Sequence, residues 1–250
     1  MQVIPLETIG EVGSGCDVSQ ALAHALETAG LALAPFDILV VTQKIVSKAE
    51  GRFVDLAAVV PGTEALRVAA MVRKDPRLVE LVLAESEAIV RAVPGVLITR
   101  HRSGHVMANA GIDQSNLGGG SGDRVLLLPE HADASADRLR AALERRWSPG
   151  FGVVISDSFG RPWRHGVTNV AIGCSGCPAL IDRRGEYDRD GRVLEVTQVA
   201  LGDMVASAAG LVTGEGAEGV PAALVRGLRW SAPSSAALAL VRPPDQDLFR

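Results

Sequence analysis

Short apolar runs separated by polar turns recur along the chain and predict β-strands. Residues 37–42 (Asp-Ile-Leu-Val-Val-Thr) are apolar and β-branched over a length too short for a helix, so this run predicts a buried strand. A turn at 102–104 predicts a hairpin between two further runs. Strands are also predicted at 2–6, 96–101, 105–109, 125–128, 151–156, 193–200 and 221–226.

Apolar residues at helical spacing predict helices between these strands. Asp17 precedes a periodic stretch, and Asp75 followed by Pro76 is typical of a helix start. Helices are predicted at 18–29, 63–72, 76–92, 134–147 and 201–212. Because hairpins alternate with helices, we expect an α+β or α/β fold with a mixed, largely antiparallel sheet and flanking helices. We expect one domain over residues 1–250, built as one unit or as two intertwined subdomains.

Charge and hydropathy remove two classes of partner. The 25 Lys and Arg residues against 29 Asp and Glu residues give a net charge of −4, without the polybasic field that dominates nucleic-acid binding. The N-terminus lacks a basic segment followed by an apolar one, and no apolar run approaches the roughly 18 residues of a membrane span. We therefore expect a cytoplasmic protein that binds neither nucleic acid nor membrane.

The cysteine and histidine residues offer little evidence of chemistry. Cys174-Ser-Gly-Cys177 has the spacing of a redox motif or of half a zinc site, but a structural zinc site needs a second ligand pair, and none follows. We favour two small buried residues in a glycine-rich turn. His24 and His131 have no suitably spaced partner, and we interpret them as structural or solvated.

Oxygen-bearing side chains follow several apolar segments in predicted loops. Asp113 stands near Asn116, Asp157 stands beside Ser158, and Glu215 lies in a glycine-rich turn. Hard divalent cations prefer such ligands, which favours a site for one or two Mg²⁺ or Mn²⁺ ions that bridge nucleotide phosphates. The alternative is that the aspartates only form or cap turns, as aspartate commonly does.

Several positive or flexible groups suit an anionic ligand. Lys44 and Lys48 flank a predicted strand end and could hold phosphate as point charges, or could simply be solvated. The turn 213–219 (Thr-Gly-Glu-Gly-Ala-Glu-Gly) would let backbone N–H groups approach phosphates, although it matches neither common phosphate-binding motif. Arg161 and Arg164 are our hypothesis for binding an anionic substrate.

Four blocks of sequence resemble one known family. Residues 41–51 (Val-Thr-Gln-Lys-Ile-Val-Ser-Lys-Ala-Glu-Gly) are similar to the signature of the F420-0:glutamate ligases, the F420-0 gamma-glutamyl ligase family. Blocks at 110–116, 155–161 and 214–222 recur in the order found in that family. Four collinear blocks across most of the chain are hard to obtain by chance.

The resemblance implies an activity and its partners. Members are GTP-dependent ligases that join L-glutamate to the deazaflavin coenzyme F420-0 through an acyl phosphate, releasing GDP and phosphate. The family likeness implies two Mg²⁺ or Mn²⁺ ions per site, with K⁺ as a further candidate cation, and a homodimer in which strands 96–98 and 125–128 lie at the interface or in the core. Some relatives carry a fused flavin-binding domain, for which we expect no room here.

The resemblance also assigns roles to particular residues. It implies that Asp157 and Lys48 serve catalysis directly. It implies metal ligation by Asp113, Asp157, Ser158 and Glu215. It implies a guanine-nucleotide site formed by Ile9, Gly10, Glu11, Val12, Gln43, Lys48, Asn116, Thr213, Gly214, Glu215, Gly216, Ala217, Glu218, Gly219 and Val220.

Two of these positions depart from the family pattern. Gln43 stands where relatives often carry Ser, and Ser158 stands where Thr is frequent. The second exchange keeps a hydroxyl and should leave the metal site unchanged. The first alters how the nucleotide is held, so the preference for one base is less constrained than the chemistry.

Overall fold

A mixed five-stranded sheet lies at the centre of the structure, a computed structural model that describes residues 1–117 and 123–247; the glycine-rich run 118–122 lies outside the described residues. The helices are α1 (Val18–Thr28), α2 (Gln43–Ala49), α3 (Thr63–Val72), α4 (Pro76–Ala84), α5 (Ala132–Leu143) and α6 (Leu201–Thr213). The strands are β1 (Gln2–Pro5), β2 (Ile38–Thr42), β3 (Phe53–Asp55), β4 (Ser86–Val93), β5 (Val96–His101), β6 (Val106–Ala108), β7 (Arg124–Leu126), β8 (Gly152–Arg161), β9 (Arg164–Ser175), β10 (Ile181–Asp182), β11 (Gln198–Val199) and β12 (Ala222–Arg226).

The central sheet has the strand order β1-β12-β2-β8-β9. Only the β2–β8 pair is parallel, whereas the β1–β12, β12–β2 and β8–β9 pairs are antiparallel. This arrangement confirms the predicted mixed, largely antiparallel sheet with flanking helices. Two-stranded sheets β3–β7 and β10–β11 and a three-stranded sheet β4-β5-β6 accompany it.

Strand β2 is buried on both faces, which explains its uninterrupted apolar sequence. Successive side chains of a strand point to opposite faces. Leu39 and Val41 accordingly join the cluster packed under α1 and α5, whereas Ile38 and Val40 join the cluster packed under α6. Complete burial of each such side chain stabilises the fold by about 1.5–3 kcal/mol. A third cluster, separate from the sheet, joins α3 and α4 to the strands β5 and β7.

The predicted helix 76–92 is wrong in its second half. Helix α4 ends at Ala84, where the Ser86 hydroxyl donates to the carbonyl of Val82 at 2.6 Å, and β4 then pairs with β5 in antiparallel register. The apolar residues Ile89 and Val90 fit either periodicity over so short a stretch. Pairing with the strand that follows decides the outcome, because it satisfies the backbone of 86–93.

Two further local predictions are also wrong, and one helix was not predicted. The polar stretch after β2 forms this helix, α2. Asp157 and Ser158 lie within β8, whose hairpin with β9 continues to Arg161, so they are not loop residues. Of the predicted strand 193–200, only 198–199 pairs, with β10. The extents of β8 and β11 are set by their pairing with β9 and β10, and a local pattern within one strand does not reveal that pairing.

Several other elements agree with the predictions from periodicity, whereas the helix predicted at 134–147 ends at Leu143 and the strands β3 and β10 were not predicted. The hairpin formed by β5 and β6 and the helices α3 and α6 match within a residue or two. Leu97, Val125 and Leu126 are buried in the core, which decides between core and interface for these side chains. Within 1–117 and 123–247, no helix is long and apolar enough to span a membrane.

The cysteine pair is buried and forms no disulfide. Cys174 and Cys177 are both at most 3% exposed, and their sulfur atoms lie 3.4 Å apart without a disulfide. Gly152 on the adjacent strand leaves room for them, since a Cβ there would lie 2.6 Å from the Cys177 sulfur. The two residues therefore pack as small side chains against the sheet.

A buried carboxylate and two histidines occupy the region between α4 and the β5–β6 turn. Glu85 accepts from Arg52 at 3.0 Å and from Arg102 at 2.8 Å, and the His101 Nε2 lies 3.6 Å from it. His105 packs edge-on against Phe159 with ring centroids 5.9 Å apart. Burial lowers the pKa of His105 from 6.5 to about 4, and repulsion from His101 adds to this effect.

We predict that His105 makes folding stability depend on pH. In the unfolded chain the imidazole binds a proton near pH 6.5, whereas in the folded protein it remains neutral down to about pH 4. Its contribution is therefore fully present above pH 6.5 and is lost as pH falls from about 6.5 to about 4, by up to about 3 kcal/mol. A His105→Gln variant cannot titrate and should lose less stability on acidification than the wild type, as measured by urea unfolding at pH 7, 5.5 and 4.

His24→Gln provides the matched control, because His24 is an exposed residue of α1. The free energy of unfolding of His24→Gln should change with pH as that of the wild type does. Identical acid sensitivity in the wild type and in His105→Gln would contradict the assignment.

Candidate functional site

The candidate site lies where the parallel strands β2 and β8 diverge. Their last paired residues are Thr42 and Ser156. Strand β2 turns there into α2, whereas β8 continues to Arg161 and, among the described strands, pairs onward only with β9. The carboxyl ends of parallel strands in α/β sheets are a common place for ligands, because diverging connections leave a crevice.

A cavity of about 690 Å³ opens at this place, within the size range of small-molecule sites. Every residue that the family resemblance assigned to nucleotide or metal lies in its wall, although these residues come from five separate segments. They are Ile9, Gly10, Glu11, Val12, Gln43, Lys48, Asp113, Asn116, Asp157, Ser158, Thr213, Gly214, Glu215, Gly216, Ala217, Glu218, Gly219 and Val220. The cavity brings them together, and their individual roles stay predictions.

Helix α2 carries the positive charge of the site. Gln43 and Ser47 lie one turn apart, and the Ser47 hydroxyl donates to the Gln43 amide oxygen at 2.9 Å. The Lys48 side chain is 7% exposed, and its ammonium group lies 3.6 Å from the carboxylate of Glu11, which is 89% exposed. So exposed a partner is well screened by water and contributes little. The Lys48 charge is therefore available to an anion in the cavity.

Asp113 is already paired with a cation supplied by the protein. The Lys44 ammonium group lies 2.6 Å from its Oδ2, and the backbone N–H of Ser115 donates to its Oδ1 at 2.7 Å. Burial alone would raise the pKa of Asp113, but the hydrogen bonds from Lys44 and Ser115 outweigh it and hold the pKa below its usual value. Lys44, which the sequence suggested for phosphate, is thus engaged with Asp113.

Among the residues that the structure describes, no lysine or arginine pairs with Asp157 in this way. Loss of water around its carboxylate raises the pKa of Asp157 to about 7, although the N–H of Ser158 and the amide of Gln43 act in the opposite direction. The negative charges of Asp113 and Glu215 raise it further. Three carboxylates therefore face one cavity closely enough to repel each other, which is the electrostatic condition that a bound cation relieves.

The glycine-rich loop begins where α6 ends at Thr213. Gly214 adopts φ +68° and ψ −179°, a conformation that other residues avoid, and a Cβ there would lie 2.1 Å from the Glu218 carboxyl carbon. Glu215 follows, and its Oε1 accepts a hydrogen bond from the Asn169 amide at 2.9 Å. The loop is thereby tied to β9.

Two further contacts hold the rest of the loop in place. The Asn116 amide donates to the carbonyl of Gly216 at 3.1 Å. The backbone N–H of Gly216 donates to the Glu218 carboxylate at 2.7 Å. This N–H, one of those predicted to approach phosphate, therefore has an internal partner that an incoming phosphate would have to displace.

The donor set fits divalent cations in its chemistry. Asp113, Asp157, Ser158 and Glu215 supply hard oxygen atoms on one cavity wall. Among the residues that the structure describes, no three acidic, Cys or His side chains converge on one point. Convergence of that kind is unnecessary for Mg²⁺ or Mn²⁺ at a nucleotide, because such ions take one or two carboxylates and complete their shell with water and phosphate.

The side chains of Arg161 and Arg164 do not line this cavity. They lie at the exposed tip of the β8–β9 hairpin, where the Arg161 guanidinium donates to the carbonyl of His165 at 2.8 Å. Neither contributes to the cavity wall. Their role toward an anionic substrate stays a prediction, now for a surface beside the cavity rather than for its interior.

Sequence reasoning missed two contributors to the site. Ser115 completes the hydrogen bonds of Asp113, and Asn169 holds Glu215. Asn169 matches no motif that we recognised. The sequence did contain one signal, which is that Asn169 stands among β-branched residues typical of a strand. Asn is depleted in strands, so an Asn at such a position is a candidate for a specific role.

Comparison with known proteins gives a consistent result. Residues 8–227 match the family model described as F420-0:Gamma-glutamyl ligase. The chain is 44% identical over 255 residues to the coenzyme F420:L-glutamate ligase of Methanopyrus kandleri, covering 100% of this chain and 97% of the relative. It is 40% identical over 252 residues to the protein of that name from Methanothermobacter thermautotrophicus, covering 100% and 99% respectively.

We predict that Asp157→Asn stabilises the metal-free protein while removing its response to Mn²⁺. The amide removes a charge that Asp113 and Glu215 repel, so the free energy of unfolding should rise by roughly 2 kcal/mol. Mn²⁺ should raise the melting temperature of the wild type but not that of the variant. Differential scanning fluorimetry with and without Mn²⁺ measures both effects.

Asp203→Asn is the matched control. Burial raises the pKa of Asp203 as well, but this residue accepts from the N–H of Ala171 and lies outside the cavity wall. It should keep the response to Mn²⁺. An undiminished Mn²⁺ response in Asp157→Asn would exclude Asp157 as a ligand.

Proposed function

The chain belongs to the F420-0:Gamma-glutamyl ligase family, and from that premise we propose that it is a GTP-dependent ligase that joins L-glutamate to coenzyme F420-0 in the biosynthesis of the deazaflavin cofactor. The observation that supports this most is the cavity at the end of β2. Its wall combines the buried Lys48, five carboxylates, among them Asp113, Asp157 and Glu215, and a glycine-rich loop. This combination suits a nucleoside triphosphate with divalent cations.

The proposed reaction proceeds in two steps. The carboxylate of the F420-0 lactyl group attacks the γ-phosphorus of GTP, which forms an acyl phosphate and releases GDP. The amine of L-glutamate then attacks the acyl carbon, phosphate leaves, and the amine loses a proton as the amide forms. Phosphoryl transfer of this kind requires neutralised charge and in-line positioning more than covalent help from the protein.

Residues of the cavity divide these tasks between them. Lys48 carries a nearly buried positive charge toward the phosphates. Ile9 and Val12 are largely buried and offer apolar surface to a base, with Gln43 beside them. Asn116 links the glycine-rich loop to the segment that carries Asp113. When bound, Mg²⁺ or Mn²⁺ would neutralise charge on the nucleotide phosphates, held by Asp113, Asp157, Ser158 and Glu215.

The alternative is another amino-acid ligase or a kinase that uses metal and nucleotide on the same scaffold. Gln43 is the observation that favours this alternative, because the residue lies in the cavity and departs from the family pattern. A homodimer, a cytoplasmic location and use of K⁺ remain part of the proposal. The exposed apolar residues Ile89 and Val90 on β4 are consistent with a subunit contact.

We predict that the purified protein adds one or more glutamyl units to F420-0 when supplied with L-glutamate, GTP and Mn²⁺. Mass spectrometry of the product measures the gain. Omission of GTP or of Mn²⁺ should abolish it, and Asp157→Ala should reduce it by at least 10²-fold, because the variant loses a ligand of the proposed metal site.

The same assay separates the alternatives. ATP in place of GTP, and other amino acids in place of L-glutamate, test the base and the acceptor. Nucleotide hydrolysis or phosphorylation of F420-0 without amide formation would favour a kinase. GTP binding without any reaction of F420-0 would favour a different acceptor.

We predict that Arg164→Ala raises the KM for F420-0 about tenfold and leaves the KM for GTP unchanged, because this side chain lies outside the nucleotide cavity. Steady-state kinetics with each substrate varied separately measures this. Arg184→Ala, at another exposed arginine that pairs with Asp182, is the control and should change neither constant. An unchanged KM for F420-0 in Arg164→Ala would remove this arginine from the site.

A further inference from the structure

Asn169 lies at the junction of three parts of the cavity. It belongs to β9 and stands opposite Ser158 of β8 in the sheet register. Its side-chain amide donates to the Glu215 Oε1 at 2.9 Å, across 46 residues of sequence. One residue of the sheet thus connects the strand that carries Asp157 and Ser158 to the loop that carries Glu215.

The position of Asn169 is itself well defined. Its backbone carbonyl accepts from the Ser207 hydroxyl at 2.8 Å, which ties β9 to α6. Its side chain passes directly over Gly210 of α6, where an added Cβ would lie 2.3 Å from the amide nitrogen. Glycine inside a helix costs roughly 1 kcal/mol relative to alanine. The chain accepts that cost where the helix must approach the Asn169 amide.

The contact differs in kind from the one made by Asp113. Lys44 neutralises Asp113, whereas the Asn169 amide is uncharged and leaves the full negative charge on Glu215. The described contact of the Glu215 carboxylate involves Oε1 alone. A neutral donor on one oxygen restricts the orientation of a carboxylate while the second oxygen can still bind a cation.

We infer that Asn169 is a positioning residue that holds the Glu215 carboxylate in the orientation in which it binds a divalent cation. The inference rests on the proposed function only in that Glu215 is taken as a metal ligand. Glu215 is exposed and lies between two glycines, so without this contact its side chain would be free to rotate. Ordering such a side chain costs up to about 2 kcal/mol, which the amide offsets before the metal arrives.

The experiment measures Mn²⁺ binding directly, by electron paramagnetic resonance titration of the purified protein without F420-0 or glutamate. Asn169→Leu preserves much of the side-chain volume over Gly210 but has no donor. It should weaken Mn²⁺ binding about 10–100-fold, the usual cost of losing a partner of a ligand, and should broaden the spectrum of the bound ion. Asn169→Ala should behave similarly.

A double-mutant cycle shows whether Asn169 acts through Glu215. Adding Asn169→Leu to Glu215→Gln should weaken Mn²⁺ binding by no more than about twofold beyond Glu215→Gln alone, because the carboxylate that Asn169 orients is already absent. If each substitution weakens binding independently, Asn169 does not act through Glu215, and the inference fails.

Ser207→Ala is the matched structural control. It removes hydrogen bonds of the Ser207 hydroxyl to Asn169 and Thr168 at the same contact between α6 and β9, but none to Glu215. It should bind Mn²⁺ like the wild type, with any loss confined to the melting temperature. Equal weakening in Ser207→Ala would mean that general loosening of this contact, not the amide, is responsible.

The result distinguishes this inference from the proposed function. Unchanged Mn²⁺ binding in Glu215→Gln would remove Glu215 from the metal site and overturn both that ligand assignment and the positioning role, while the ligase activity is tested separately by the product assay. Weakened binding in Glu215→Gln together with wild-type binding in Asn169→Leu would overturn only the positioning role.

Discussion

The parallel pairing of β2 with β8 is the constraint on which the rest of the structure depends. Both strands are buried on two faces, so their register is set by core packing against α1 and α5 on one side and α6 on the other. The pairing ends at Thr42 and Ser156, and β2 and β8 part there. This single divergence brings α2, which carries Lys48, to the same cavity as Asp157, although the two residues are far apart in sequence.

Three of the carboxylates in the cavity wall, Asp113, Asp157 and Glu215, differ in their electrostatic surroundings. Asp113 has Lys44 as an internal counter-charge, Asp157 has none within the described part of the chain, and Glu215 has a neutral hydrogen-bond donor. Repulsion among these groups destabilises the folded protein. Functional sites commonly contain destabilising groups of this kind. Charge that the fold leaves uncompensated is charge that a cation can neutralise on binding. The same reasoning makes the nearly buried Lys48 suited to an anion.

Contacts remote in sequence give the glycine-rich loop a defined shape despite its composition. Asn116 and Asn169 reach it from two different segments, and Glu218 folds back onto the N–H of Gly216. Glycine permits the sharp turn at Gly214, but these hydrogen bonds select one conformation among those that glycine allows. The loop therefore owes its flexibility to local sequence and its order to tertiary structure.

The sequence alone determined those features that depend on neighbours along the chain. The apolar run of β2, the capped start of α1 and the spacing of α3 and α6 rest on local periodicity, and all were predictable. The residues that the family resemblance assigned to nucleotide and metal all line one cavity, because a motif records chemistry without needing geometry. Tertiary structure decided the rest: the conversion of 86–93 to a strand, the extension of β8 through Asp157, and the contact between Asn169 and Glu215. Each of these depends on a hydrogen-bond partner that only folding brings within reach, and the sequence pattern carries no record of which partner that will be.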